Sequence, residues 1–196
     1  MLTVGVLALQ GAFREHAAAV RRVGARVREL RQRGHIDGID ALIIPGGEST
    51  TIGKLLVELD MLAPLKERLQ AGMPAYGSCA GLILLCKTIE NSDQPSLGAL
   101  DASARRNAFG RQADSFEAPL SIPEIGDAPF PGVFIRAPVI TRVGPQIRVL
   151  ASVDGRAVAV RQGRTLATSF HPELTRDMRL HRYFIGMCGE QTSENL

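Results

Sequence analysis

Pro74-Ala75-Tyr76-Gly77-Ser78-Cys79-Ala80-Gly81-Leu82-Ile83-Leu84-Leu85 runs from a strand-like segment into a helix-like one without a spacer, and a cysteine stands at the junction between two glycines. A side chain held on so sharp a turn projects out of the fold instead of into the core. This is the pattern of a nucleophile elbow with sulfur in place of oxygen. Cys79 there sits at the positive end of the following helix dipole, which favours an anionic nucleophile. The competing reading is a small buried cysteine, the usual state of a free thiol. A strand that turns directly into a helix is also half of a βα unit, and the residues upstream repeat that rhythm.

Thr3-Leu9 is a β-branched and aliphatic run, Phe13-Val23 carries helical spacing, and Ala25-Leu30 alternates. Ala41-Ile44 reads as a short buried strand closed by the turn Pro45-Gly46-Gly47, and Thr51-Leu59 and Ala63-Leu69 read as helices. Alternation of this kind predicts a parallel sheet with helices on both faces. From Leu97 to Phe170 the strands are shorter and broken by Pro and Gly: Ser115-Ile122, Val133-Ile135, Val139-Val143, Val149-Val153, Ala157-Arg161 and Thr165-Phe170. These are expected to form antiparallel extensions on the edge of the core sheet. Met178-Cys188 closes the fold as a helix. The expected fold is α/β, a single-domain three-layer sandwich with a mostly parallel central sheet and an antiparallel edge extension. The domain spans residues 1–189, and 190–196 read as a polar C-terminal tail.

Composition narrows the function. A chain of 196 residues with 45% hydrophobic and 22% charged content suits one soluble domain. No apolar run approaches the roughly 20 residues of a bilayer span, and Leu2 to Leu9 lacks the basic flank of a signal peptide, so a cytoplasmic location is expected. The net charge of +3 is spread along the chain, with a denser stretch at Arg21, Arg22, Arg26, Arg28, Arg31 and Arg33. Aromatic content of 5% without Trp leaves no stacking platform, so neither nucleic acid nor membrane is expected as a partner. Cys79, Cys86 and Cys188 make an odd count without paired spacing, which argues against a disulfide framework. No Cys-x-x-Cys or His-x-x-x-His pair suggests a metal, and no cofactor is expected. Cys86 lies two helical turns beyond Cys79 and reads as core packing, as does Cys188.

In open α/β sheets ligands bind beyond the carboxyl ends of the strands, which directs attention to the turns after Leu9, Ile44, Tyr76 and Phe170. Ser169-Phe170-His171-Pro172-Glu173 follows the last strand. In extended backbone, residues two apart point the same way, so Glu173 can reach one nitrogen of His171 while the other faces outward. A carboxylate in that position fixes the tautomer and supports the imidazolium that forms when the base takes a proton. Alone, the triplet would read as a surface His beside an incidental acid. With the elbow on the same sheet, Cys79, His171 and Glu173 make a nucleophile, base and orienter. Adjacent glycines in Pro45-Gly46-Gly47-Glu48-Ser49-Thr50 let an N–H point at a ligand, so Gly47 with the N–H of Ala80 would form an oxyanion hole. Ser49 or Thr50 is placed to cap the helix beginning near Thr51. A phosphate loop fails here, because Glu48 takes the place of a required glycine and Leu55 that of the magnesium-binding hydroxyl.

The ordered blocks Gly5-Val6-Leu7-Ala8-Leu9-Gln10-Gly11 with Arg14-Glu15-His16, Pro45 through Thr51, Gly77 through Leu85, Arg106-Asn107-Ala108-Phe109-Gly110-Arg111-Gln112 with Asp114-Ser115-Phe116-Glu117, Phe134-Ile135-Arg136-Ala137-Pro138, and Ser169 through Thr175 span nearly the whole chain. Together they resemble a class I (triad) glutamine amidotransferase with a flavodoxin-like core, and more narrowly the PdxT/SNO family, the glutaminase subunit of pyridoxal 5'-phosphate synthase. Ser78 stands where that family usually has Thr, and Gly98-Ala104 is richer in alanine than expected. Neither departure is expected to touch the chemistry.

The resemblance implies L-glutamine as substrate, its amide over Cys79 and its α-amino and carboxylate ends held by Gly47, Glu48, Ser49, Arg106 and the Ile135-Arg136 segment. It also implies a synthase subunit as the partner that consumes the ammonia. Without the resemblance, Arg106 and Arg136 would read as surface salt-bridge residues. Gln10 reads either as a turn residue bonding its local backbone or as a partner contact that helps set the oxyanion loop. Two other classes fit the same elbow: a cysteine peptidase, which would ignore free glutamine, and a non-catalytic scaffold, against which the His171/Glu173 pair argues.

Overall fold

The computed structural model describes residues 1–106 and 115–189. The Asn107 to Asp114 part of the family-like blocks and the expected tail 190–196 lie outside the described residues. Five parallel strands form the centre: β1 (Thr3–Leu7), β2 (Arg26–Leu30), β3 (Ala41–Ile44), β4 (Ala75–Ser78) and β12 (Thr165–Thr168). They lie in the order β2-β1-β3-β4-β12, and β11 (Arg156–Gln162) and β10 (Arg148–Val153) continue the sheet antiparallel beyond β12. That is the flavodoxin-like order, with its switch point between β1 and β3.

Period-two alternation in the strands divides the core. Leu7, Leu42, Ile44 and Ala75 face one layer, and Val4, Val6, Ala41, Ile43 and Tyr76 face the other. The first face is covered by α2 (Ser49–Glu58), α3 (Leu62–Gln70) and α4 (Ala80–Leu85). The second is covered by α1 (Phe13–Arg22) and α5 (Arg179–Gly189). Every side chain of α4 is buried, in keeping with a segment apolar all round.

In the second half β10 and β11 form the expected antiparallel edge, and the other strands differ from expectation. β12 is not part of an antiparallel edge; it returns parallel to β4, with Thr168 opposite Ser78. β5 (Cys86–Ile89), β6 (Leu100–Arg105) and β9 (Val139–Val143) form a separate small sheet, and β7 (Ser115–Leu120) pairs with β8 (Phe130–Ile135) in another. The helix after the elbow stops at Leu85, and Cys86 opens a strand that its β-branched successors Thr88 and Ile89 favour. Cys86 is still wholly buried, and burial pushes its thiol up to about 12. Cys188 is only partly buried against the second-face core, with its Sγ donating to Phe184 O at 3.2 Å.

Among the described residues no helix is long and apolar enough to cross a membrane.

Candidate active site

The loops leaving β1, β3, β4 and β12 at their carboxyl ends surround one cavity of about 340 Å³. Gln10, Gly47, Glu48, Ser49, Cys79, Ala80, Arg106, Ile135, Arg136 and His171 all line it. Glu173 is behind His171, its side chain fully buried.

The elbow is built by close approach. Cys79 has φ 50°, a left-handed conformation unusual for a side chain with a Cβ, and its N–H donates to Thr168 O on the neighbouring strand at 2.8 Å. The turn is possible because a Cβ on Gly81 would run into the Ile44 carbonyl, and one on Gly77 into the backbone of Gly81. Glycine is required at both places for space.

His171 is anchored from the other side by its N–H, which donates to Val133 O at 2.8 Å. Its Nδ1 is 2.8 Å from Glu173 Oε1, and its other face meets the Cys79 thiol. Glu173 reaches the imidazole from a 3-10 turn over Pro172–Leu174, not from the extended backbone expected, because Pro172 at the first position sets the φ that such a turn needs. Burial alone would lower the His171 pKa, but its hydrogen bonds with Cys79 and Glu173 and their charges raise it from 6.5 to about 10. Burial would likewise raise Glu173, but the His16 ring first, and then His171, hold it far below the usual carboxylate range.

These opposed shifts give the pair a defined effect on stability. The contribution of Glu173 is complete above its ordinary 4.5 and fades as pH falls. That of His171 is complete below 6.5 and fades as pH rises toward about 10. The thermal-midpoint difference between wild type and Glu173→Gln is therefore expected to be largest between pH 4.5 and 6.5 and to shrink on both sides. A difference independent of pH would contradict the assignment.

At the cavity mouth Arg106 Nη2 pairs with Glu48 Oε1 at 2.7 Å. The Glu48 carboxylate also caps α2: Oε2 accepts the Thr51 N–H at 2.9 Å and the Thr50 hydroxyl. The capping expected of Ser49 or Thr50 falls instead to Glu48, and the helix begins two residues earlier than expected. A carboxylate can take several donors at once, where one hydroxyl serves fewer. Burial opposes ionisation of Glu48, but the Thr50 hydroxyl, the Thr51 N–H and Arg106 hold its pKa below the usual value. Ser49 is buried, with its hydroxyl donating to Gln94 Oε1 at 3.2 Å. Arg136 has φ 43°, and the carbonyl of Ile135 beside it lies 3.9 Å from Cys79 Sγ.

The Gln10 side chain reaches beyond its own turn: its Oε1 accepts the Glu48 N–H at 2.7 Å, tying the loop after β1 to the loop after β3. A Cβ on Gly47 would strike that same Oε1.

Three residues went unassigned at the level of sequence. Ser78, read as a harmless departure, is fully buried; its Oγ accepts the Gly46 N–H at 3.0 Å and lies 2.9 Å from His16 Nε2. His16 Nδ1 lies 3.1 Å from His181 Nε2. The available signal was position: His16 shares the buried stripe of α1 with Ala17, Ala19 and Val20, so it points under the sheet end and not into solvent.

The model of the SNO glutamine amidotransferase family matches residues 6–190. The pyridoxal 5'-phosphate synthase subunit PdxT of Carboxydothermus hydrogenoformans is 54% identical, over 94% of this chain and 96% of its own length. A crystal structure of a glutamine amidotransferase superposes with a TM-score of 0.91 at 52% identity, covering 95% of this chain and 99% of that one. The PurLQS structure from Thermotoga maritima, 12% identical, shares the fold with a TM-score of 0.68 over 94% of this chain and 98% of its own.

Proposed function

This chain belongs to the SNO glutamine amidotransferase family, and from that premise we propose that it is the glutaminase subunit of a pyridoxal 5'-phosphate synthase. It hydrolyses L-glutamine to L-glutamate and ammonia and passes the ammonia to a synthase subunit. The observation that carries the reading is the Cys79–His171–Glu173 array opening into a cavity whose mouth holds the Arg106–Glu48 pair. A zwitterion needs a cation and an anion for its two ends, and both are present a short distance from a nucleophile.

Cys79 Sγ loses its proton to His171 and attacks the amide carbon, and the oxyanion is received by the N–H groups of Gly47 and Ala80. His171 then protonates the departing ammonia. A water that gives its proton to His171 cleaves the glutamyl thioester, and glutamate leaves with Cys79 restored. Glu173 keeps Nδ1 protonated throughout, so that Nε2 is the atom that takes and returns the proton. Gly47, Glu48, Ser49, Arg106, Ile135 and Arg136 hold the glutamine ends. The Arg106–Glu48 bridge opens as the substrate carboxylate takes the guanidinium and its ammonium takes Glu48.

Ammonia in neutral water is mostly protonated and no longer nucleophilic, so the partner must receive it without release. Gln10, through the Glu48 N–H, holds the peptide that joins Gly47 to Glu48. A partner that moves Gln10 resets the oxyanion loop. Glutamate formation is expected to rise on adding the synthase subunit, and Gln10→Ala is expected to remove most of that stimulation. Stimulation unchanged in Gln10→Ala would rule out the role of Gln10. Absence of glutamate from wild type with its partner would rule out the function.

A further inference from the structure

The side of Glu173 away from His171 is not apolar. Its Oε2 is buried with no well-aligned hydrogen bond, and His16 Nε2 lies 3.3 Å from it. Both side chains are fully buried. The mechanism above makes no use of His16 or of His181 beyond it, yet burying two imidazoles in the core beside a catalytic carboxylate is costly unless they are matched.

The hydrogen-bond network assigns the proton on His16. If Nε2 carried a lone pair, it would face a carboxylate oxygen, and the His16 proton would sit on Nδ1. His181 would then have to accept at Nε2 and carry its own proton on Nδ1, a buried atom with no partner. An orphaned N–H and a lone pair set against a carboxylate are both expensive. With the proton on Nε2, one N–H is shared between Ser78 Oγ and Glu173 Oε2 and His181 donates to His16 Nδ1; the Ser78 hydroxyl proton and a ring lone pair are what this arrangement leaves over, but the buried carboxylate then faces a donor and not a lone pair. Burial pushes the His181 pKa down to about 3, so it serves as a neutral donor.

We propose that His16 is a positioning residue of the glutaminase reaction: its Nε2–H, held in place by His181, grips the second oxygen of Glu173 and so fixes the carboxylate that orients His171. The inference rests on the glutaminase reading. Glu173 thus bridges two imidazoles, one at the reacting centre and one contributed by α1. Through Ser78, the same His16 nitrogen is also linked to the Gly46 N–H, and hence to the glycine loop after β3. The titratable groups that face this carboxylate are His171 from its own turn, His16 from α1, His181 from α5 and Tyr76 from β4. Tyr76 stays neutral, because burial and then the Glu173 charge raise its pKa well above 10.0. The acid-side response is therefore set by Glu173 with His16 against it.

The test is a pH series of kcat and KM for glutamine on the complex with the synthase subunit, for wild type, His16→Gln, His16→Asn and His16→Phe. The Gln amide nitrogen takes the place of Nε2, and the Asn amide nitrogen that of Nδ1. His16→Asn and His16→Phe are expected to lose about 10- to 100-fold in kcat with little change in KM. Without its donor, Glu173 takes up a proton more readily, so the acid limb of kcat/KM is expected to move upward by about one pH unit. His16→Gln is expected to recover most of the rate and the wild-type limb. If His16→Phe is insoluble, the Gln and Asn pair carries the comparison. Equal losses at every pH with an unmoved limb, or Gln as impaired as Asn, would reduce His16 to packing. An inactive wild type would instead overturn the glutaminase reading, so the two failures are distinguishable.

Discussion

Replacing Cys79 by alanine should abolish glutamate release while leaving the fold, glutamine binding and the use of added ammonia intact. The change removes one sulfur atom and keeps the Cβ, so the strained φ of 50° is retained and the contacts that form the elbow survive. No other described cysteine can take over: Cys86 opens β5 in the core, and Cys188 is on α5. Loss of a triad nucleophile costs on the order of 10⁴-fold or more in kcat, because base and orienter have no atom left to activate. The dissociation constant for glutamine, measured by calorimetry on the complex, should stay within about threefold, since the groups proposed to hold its two ends remain. The synthase subunit in that complex, supplied with ammonium salt in place of glutamine, should make product at the wild-type rate. Glutamate formation within tenfold of wild type would remove Cys79 from the mechanism.

The second large effect concerns a residue with no side chain. A Cβ on Gly46 would overlap the Cε1 atom of His171 and lie 2.6 Å from its Nδ1 and 3.4 Å from Cys79 Cβ. The backbone cannot retreat, for its N–H donates to Ser78 Oγ at 3.0 Å and its carbonyl accepts the Ala12 N–H at 2.9 Å. His171 must yield instead, swinging away from both the thiol and Glu173. Misplacing a catalytic group by about 1 Å costs about 100-fold, so Gly46→Ala should lower kcat at least that much. KM should change far less, because that Cβ meets His171 and Cys79 and not Arg106 or Glu48. Overpacking of this kind costs about 1–3 kcal/mol of stability, a loss a folded domain survives and a thermal melt can register. A kcat within threefold of wild type would mean that His171 does not need its observed position.

Much of this was legible in the chain. The elbow, the glycine loop and the His-x-Glu turn each carry a local signature, and the alternation of strand and helix orders the carboxyl ends of β1, β3 and β4. What local pattern could not convey was pairing. Thr165–Thr168 looks like its neighbours β10 and β11, and only the open edge of β4 decides that it runs parallel and central. The cap of α2 was misplaced because a glutamate at that position is a weaker signal than the hydroxyls after it. His16 escaped notice for a different reason. Its importance depends on Ser78, Glu173 and His181, residues from three other elements, and a lone histidine on an amphipathic helix has no signature of its own.

The seating of β12 bears on how the protein comes into being. Tyr76 and Thr168 share a hydrogen bond across 92 positions of chain, and the strand that carries Thr168 fills the gap between β4 and β11. Non-local closures of this kind are slow steps in folding. While the chain is being synthesised, β4 has an open edge directly before Cys79, and an open edge invites pairing with the wrong strand. The final central strand closes that edge, and three residues later it delivers His171. A growing chain therefore has its nucleophile long before its base, and the same event that completes the sheet switches on the chemistry.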